Sequence, residues 1–364
     1  RDLHVRSRRQ RQMCIRDRLG TAATDQGIGV ITDSSGNIYV SGYNNVGYSP
    51  SSSAFDGNPS SGSADMILVK YNSSGIKQWS DQLGSTQTDI GDQVAVDSSN
   101  NIYVTGYTYG NFDSNSSSGN TDMFLVKYNS SGTKQWSDQL GTSLADYGWG
   151  ITIDSSDNIY VTGSTAGDLD ENTSEGASDM FLVKYNSSGT KQWTQQLGSS
   201  SNDKAYGAAT DSSGNIYVTG YTQGSFDGKT YLGSNDIFLV KYNSSGTKQW
   251  TKQYGSSSDD SANGVATDSS GNIYVTGYTQ GNLDGNHDSG SQDIFLLKYN
   301  SSGTQQWIKQ LGERNSSDVA EDITVDSSDN IYITGRTNGD LDGETNSGSW
   351  DIFLVKYNSD GVLQ

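Results

Sequence analysis

The stretch Asp268–Trp307, DSSGNIYVTGYTQGNLDGNHDSGSQDIFLLKYNSSGTQQW, decides the fold, because near-copies of it recur along almost the whole chain. Its opening, DSS-x-NIY, appears at Asp33, Asp97, Asp154, Asp211, Asp268 and Asp326. Its Lys-Tyr-Asn appears at Lys70, Lys127, Lys184, Lys241, Lys298 and Lys356, at spacings of 57 or 58 residues. Six units are therefore present. A repeat of this kind is one supersecondary unit that buries its apolar faces by stacking on its neighbours. The one large length change lies between Gly42 and Asp65, where the Asp-to-Lys distance is 37 rather than 30.

Each unit reads as four strands. The first, ending at Asp268 in the quoted copy, is short and apolar. The second, NIYVTGYT, alternates Ile, Val and Gly with Tyr, Thr and Tyr, the period of a strand with two different faces. The third, DIFLLKYN, is a continuous apolar run suited to cover on both sides. The fourth, TQQWIKQLG, mixes Trp and Leu with Gln and Lys, as an outer edge that must dock without recruiting another chain. Between the first two strands the fourth turn residue is Gly36, Asn100, Asp157, Gly214, Gly271 or Asp329, all types that enter the left-handed region easily. Between the last two it is always Gly, from Gly75 to Gly361. Both connections read as tight hairpins led by an Asp or Asn. Asn72-Ser-Ser and its equivalents also fit a glycosylation sequon, with the turn as the preferred reading.

Four antiparallel strands repeated at this period give an all-β fold, a β-propeller of four-stranded blades. Six repeats make either a closed six-blade ring or an arc of a larger propeller, and closure is the expectation. D-S-S-G-N-I-Y-V-T-G followed by D-I-F-L-V-K-Y-N-S-S-G-x-x-x-W resembles the SBBP, or seven-bladed β-propeller, repeat family, over Leu19 to Gln364. That resemblance implies a secreted or cell-surface protein without an assigned activity. The recurring Trp79, Trp136, Trp193, Trp250 and Trp307 are expected to dock each blade on its neighbour.

Residues 1–18, RDLHVRSRRQRQMCIRDR, stand apart from the repeat domain 19–364. They carry seven Arg and the only cysteine, lack the apolar core of a signal peptide, and resemble a translated adapter sequence more than a native arm. The targeting signal is expected to lie upstream. The net charge of −19, with the cationic residues of this tail included, argues against nucleic acid or anionic membrane as partner. No segment is long and apolar enough for a transmembrane helix. A monomer is expected.

Alternating strand direction gathers the long loop and the blade-to-blade connection on one rim, and both are acidic. Aspartates recur at Asp25 to Asp318, at Asp56 to Asp342 and at Asp65 to Asp351, once per unit in each series. Three acidic rings on one face would offer the hard oxygen ligands of Ca²⁺. Asp168, Asp170, Asp227, Asp284, Asp340 and Asp342 are the candidate ligands, although no EF-hand pattern is completed. Near-identical blades otherwise favour multivalent contact over catalysis. Asymmetry is therefore informative, and it falls at the entrance to the first strand: Ile28, Asp92, Trp149, Tyr206, Asn263 and Glu321. Aromatic faces beside carboxylates there suit a sugar or a cationic group. The insertion with Tyr48, Pro50, Phe55 and Pro59 is a second departure, suited to a partner contact.

The sequence thus points to a non-catalytic binding or structural scaffold, with a protein or carbohydrate ligand and Ca²⁺ as the candidate cofactor. The competing reading is a hydrolase or lyase using rim carboxylates, which needs Asp92 and Glu321 to point into a closed pocket. A quinoprotein-like propeller is a further alternative, since KYNSSGTKQW is similar to quinoprotein repeats, but adjacent cysteines are absent. The body has a single histidine, His287, so a histidine-based triad has little to build on.

Overall fold

The computed structural model describes residues 19–45, 54–283, 285, 291–313 and 315–364. It is an all-β chain of β-propeller blades, each an antiparallel meander whose strands lie side by side in sequence order. Two compact units are distinguished, one ending at Ser143 and one beginning at Leu144.

The first unit holds two blades. Blade one is β1 (Thr24–Thr32), β2 (Ile38–Asn45), β3 (Ala64–Tyr71) and β4 (Lys77–Leu83), and blade two is β5 (Asp89–Val96), β6 (Ile102–Thr108), β7 (Asp122–Tyr128) and β8 (Lys134–Leu140). The second unit holds four. Blade three is β9 (Asp146–Ile153), β10 (Ile159–Thr165), β11 (Asp179–Tyr185) and β12 (Lys191–Leu197), and blade four is β13 (Asp203–Thr210), β14 (Ile216–Thr222), β15 (Asp236–Tyr242) and β16 (Lys248–Tyr254). Blade five is β17 (Asp260–Thr267), β18 (Ile273–Thr279), β19 (Asp293–Tyr299) and β20 (Gln305–Leu311). Blade six has three strands, β21 (Asp318–Val325), β22 (Ile331–Thr337) and β23 (Asp351–Tyr357).

The DSS-x-NIY motif is the wiring of one turn. In blade four Asp211 Oδ1 accepts from the backbone N–H groups of Ser213 and Asn215, both at 2.9 Å, while Oδ2 accepts from Asn215 Nδ2 at 2.7 Å and the Tyr217 hydroxyl at 2.9 Å. The left-handed residue between them is Gly214, with φ of 77° at Gly36 and 60° at Asp157 and Asp329 in other copies. Burial raises the Asp211 carboxyl, but these donors outweigh it and hold the group below its ordinary range. The Tyr217 ring meanwhile is fully buried. One residue thus ties the turn to the core.

Blades stack face on face. Tyr217, Ile237 and Leu239 of blade four pack with Ala262, Val265, Val275, Phe295 and Leu297 of blade five in one apolar cluster. The equivalent residues join blades one and two, three and four, and five and six. Within the units, Trp79, Trp193, Trp250 and Trp307 dock on the turn of the next blade. Trp250 packs against Tyr217 of its own blade at 6.1 Å, and Gly303 in the next blade's turn lies so close over its indole that a Cβ there would sit 3.0 Å from the ring. Lys241, 5.2 Å from the Tyr217 ring centre, adds a bond to the Ser301 carbonyl of blade five at 3.1 Å.

The long loop contributes more to the core than its sequence suggested. Short 3-10 turns at Phe112–Ser114, Leu169–Glu171 and Phe226–Gly228 insert a fully buried apolar residue beside the third strand. Phe226 stacks on Phe238 at 4.5 Å. In the insertion of blade one Phe55 has the same role and is 1% exposed, whereas Tyr48 and Pro50 lie outside the described residues. Residues 1–18 and His287 lie outside them as well.

Replacing Tyr217 by Phe removes one buried bond to Asp211 and leaves the ring in place. We expect a loss of about 1–2 kcal/mol in urea unfolding; an unchanged midpoint would mean that the hydroxyl contributes nothing to holding the turn.

Candidate functional site

Every first strand is irregular at the same place. The register slips between Gly27 and Gly29, Gly91 and Val94, Gly148 and Gly150, Ala205 and Gly207, Ala262 and Gly264, and Ala320 and Asp322. The residues left over at these β-bulges include Ile28, Asp92, Trp149, Tyr206, Asn263 and Glu321, the positions at which the sequence departs from symmetry. A bulge leaves its residue unpaired and re-aims the side chain out of the regular pleat.

Two sets of glycines make the bulge possible. Opposite it, in the second strand, stand Gly42, Gly106, Gly163, Gly220, Gly277 and Gly335, where a Cβ would run into the first-strand carbonyl of Gln26, Ile90, Tyr147, Lys204, Ser261 or Val319. Immediately after it, Gly150 and Gly207 admit the neighbouring blade: their Cβ positions are 2.7 Å from the Tyr206 carbonyl oxygen and 3.1 Å from that of Asn263. Consecutive first strands therefore meet backbone to backbone at their bulges. In the first unit the same approach brings the Asp92 carbonyl to the Ser41 hydroxyl at 2.7 Å.

In the second unit this spacing assembles an aromatic platform. The Trp149 and Tyr206 rings are 5.0 Å apart, Tyr147 stacks on Trp149 at 5.4 Å with the planes 3° from parallel, and Tyr221 adjoins Tyr206 at 5.9 Å. Lys204 Nζ lies over the Trp149 ring at 5.5 Å. All five side chains belong to half-buried residues, so each keeps part of its surface in reach of solvent. On the next bulge Asn263 donates through Nδ2 to the Ala320 carbonyl at 2.8 Å, which fixes its amide. Glu321 pairs with Arg336 at 3.1 Å, and Arg336 lies 5.1 Å from the exposed Trp350 ring. Burial raises the phenols of Tyr206, Tyr221 and Tyr278, which stay neutral donors.

Trp149 and Tyr206 are thus in direct contact, and Asn263 and Glu321 occupy the succeeding bulges of the same unit. Asp92 belongs to the first unit, where burial pushes its carboxyl up to about 7 and Oδ2 is buried without a partner. Tyr147, Lys204, Tyr221 and Arg336 were not singled out by sequence. Tyr147 lies two residues before Trp149, and Lys204 pairs in register with Tyr221. The signal for all of them was the glycine inside each second strand, which marks a bulge opposite.

Four of the six proposed metal ligands have protein partners. Asp170 and Asp227 adopt left-handed φ of 51° and pair with Lys191 and Lys248 of the fourth strand, Asp170 also accepting from Thr194. Asp168 accepts from Ser174 N and Asp340 from Asn346 N, both at 2.8 Å. Asp342 stands exposed at φ 48°, and Asp284 lies outside the described residues. Among the described residues no group of three or more His, Cys, Asp or Glu stands close enough to hold a metal ion.

The expected acidic rings are also largely interior. Asp65, Asp89, Asp179, Asp203, Asp236, Asp260 and Asp318 are fully buried. They terminate loop backbone: Asp203 Oδ2 accepts from Ser199 N at 2.6 Å, and Asp236 Oδ2 from Leu232 N and Gln253 Nε2, both at 2.8 Å. Gly255 lies between two such groups, its Cβ position 2.6 Å from Asp236 Oδ1 and 3.0 Å from Asp260 Oδ2.

Comparison with known proteins matches the SBBP beta-propeller repeat family at residues 78–113, 135–170, 192–227, 249–284 and 306–342. An uncharacterised WD repeat-containing protein of Acanthamoeba polyphaga mimivirus is 26% identical over 94% of this chain and 33% of its own length. The regulatory protein FlaEY of Caulobacter vibrioides is 29% identical over 83% of this chain and 36% of its own. The chain spans about a third of the length of these relatives. Among solved structures, a PL25 ulvan lyase aligns over 95% of this chain and 86% of its own, with a TM-score of 0.51 and 14% identity, a likeness of fold alone.

The carboxyls fall into two groups with opposite pH behaviour. Burial raises Asp89 and Asp203 to about 6 and Asp92 to about 7 from 3.8, so they favour the fold when protonated, and that stability is lost as pH rises through 6 to 7. Asp154 and Asp211, raised by burial but lowered further by their donors, lose their contribution only as pH falls below the ordinary carboxylate value. Thermal unfolding followed by circular dichroism should therefore show a maximum midpoint at mildly acidic pH and a decline toward pH about 8. Asp92→Asn should flatten the upper part of that decline. A midpoint that rises from acid to neutral pH would contradict the assignment.

Proposed function

The chain belongs to the SBBP β-propeller repeat family, and on that premise we propose that it is a non-catalytic binding module, exported or held at a cell surface, that grips a neutral carbohydrate on the bulge residues of its second unit. The observation that carries this reading is the contact of Trp149 with Tyr206 across two consecutive bulges, extended by Tyr147 and Tyr221. Aromatic faces take up the C–H faces of a pyranose, and a platform already held by packing loses little side-chain freedom on binding. Lys204, Tyr278, Glu321 and Arg336 supply donors and acceptors for hydroxyls around it. The net charge of −19 favours a neutral ligand over a polyanion. The exported location rests on the family resemblance.

Catalysis by rim carboxylates finds less support. Glu321 is about half exposed and ion-paired, and the other bulges of this unit carry Trp149, Tyr206 and Asn263. A general acid needs a water-poor site and a second carboxylate in a different environment.

Titration of the full chain with cellohexaose, xylohexaose and chitohexaose, followed by tryptophan fluorescence and calorimetry, tests the reading. At least one should bind, and Trp149→Ala or Tyr206→Ala should weaken it about tenfold or more, equivalent to about 1.4 kcal/mol. Failure of all three to bind, or binding indifferent to both substitutions, would overturn it.

A further inference from the structure

Two neighbouring joints of the second unit share one frame on the side of the DSS-x-NIY turns, and they differ in what fills it. Between blades five and six the filling is Asp329, the left-handed residue of its turn at φ 60°. Its carboxylate reaches back to blade five, where Oδ1 accepts from the Ser269 N–H and Oδ2 from the Ser269 hydroxyl, both at 3.1 Å. One serine thus presents a two-pronged donor to one carboxylate. On the same joint Lys298 lies over the Tyr274 ring at 5.1 Å and bonds the Ser359 carbonyl at 2.8 Å.

Between blades four and five the frame recurs without its filling. Ser212 stands where Ser269 does, and Lys241 lies over Tyr217 and bonds the Ser301 carbonyl as Lys298 does its counterparts. The left-handed residue, however, is Gly271, at φ 78°, with no side chain to send back. Among the described residues nothing accepts from the Ser212 N–H or hydroxyl, and Ser212 is exposed. A polar cavity of about 380 Å³ opens here, with Ser212, Lys241 and Gly271 in its wall. It has room for a carboxylate: a Cβ built on Gly271 would meet only Ser301 Cβ, at an ordinary 3.7 Å.

We propose that this niche binds the carboxylate of an aspartyl or glutamyl side chain of a partner peptide, seated on Ser212 as Asp329 is seated on Ser269. The donors are the Ser212 N–H and Oγ, and the Lys241 ammonium supplies the countercharge. A peptide fits because the occupant of the filled joint is an aspartyl side chain carried on a hairpin turn. Asp211 also borders the cavity, but its oxygens are taken up by its own turn. Asp268 is engaged in the same way next to Ser269, so a turn carboxylate does not bar a second one. The net charge of −19 repels at long range, where physiological salt screens it beyond about 8 Å. The niche lies at the opposite end of the strands from the bulge residues and does not depend on the carbohydrate reading.

The test follows the Ser212 amide resonance of the full chain by nuclear magnetic resonance in physiological salt, with the capped peptides Gly-Asp-Gly and Gly-Asn-Gly. The Asp peptide should move it in a saturable way and bind about tenfold or more tightly than the Asn peptide. Ser212→Ala should weaken the Asp peptide severalfold. Gly271→Asp, which places a carboxylate where Asp329 stands in blade six, should shift the Ser212 amide without peptide and abolish the response. Trp149→Ala should leave it unchanged. A Ser212 amide indifferent to the Asp peptide, equal response to the Asn peptide, or full binding by Gly271→Asp would overturn the proposal. So would a response to oligogalacturonate but to neither peptide.

Discussion

In every blade a carbonyl oxygen of the first strand occupies the space that a side chain of the second strand would need, and glycine answers it six times from Gly42 to Gly335. This single steric constraint lets the first strand carry one extra residue, and the extra residue is where the blades differ. The backbone is therefore uniform while the chemistry at the bulges is not. A repeat protein gains a specific surface in this way without breaking the packing that its repeats share.

That packing depends on parts that serve two purposes at once. The turn aspartate closes its hairpin and holds the hydroxyl of the tyrosine whose ring fills the joint between blades. The lysine of the third strand lies over that ring and bonds the turn of the next blade. Local wiring and blade-to-blade contact thus reinforce one another, as expected when stability is shared between repeats and their interfaces.

The strands, hairpins and blade repeat were legible because each depends on residues close in sequence: the alternation of NIYVTGYT, the left-handed Gly, Asn or Asp of the turn, the Trp on an outer strand. The positions of Trp149 and Tyr206 were legible as breaks in an otherwise regular series. Their contact was not, since it arises where two blades meet. Gly220 read as one more residue in an alternating strand, although the space it leaves is filled by the Lys204 carbonyl. The aspartates misled for a related reason. A carboxylate that ends a loop inside the protein, as Asp203 does, has the same sequence signature as one facing solvent, and burial is decided by the neighbours.

The most direct test of the account is equilibrium unfolding of Gly220→Ala in urea. The added methyl has no room beside the bulged carbonyl, so the account predicts a loss of about 2–3 kcal/mol although the residue lies within a regular strand and touches no ligand. Native stability in that variant would show that the bulge does not depend on the glycine, and would contradict the link drawn here between the shared backbone and the surface it presents.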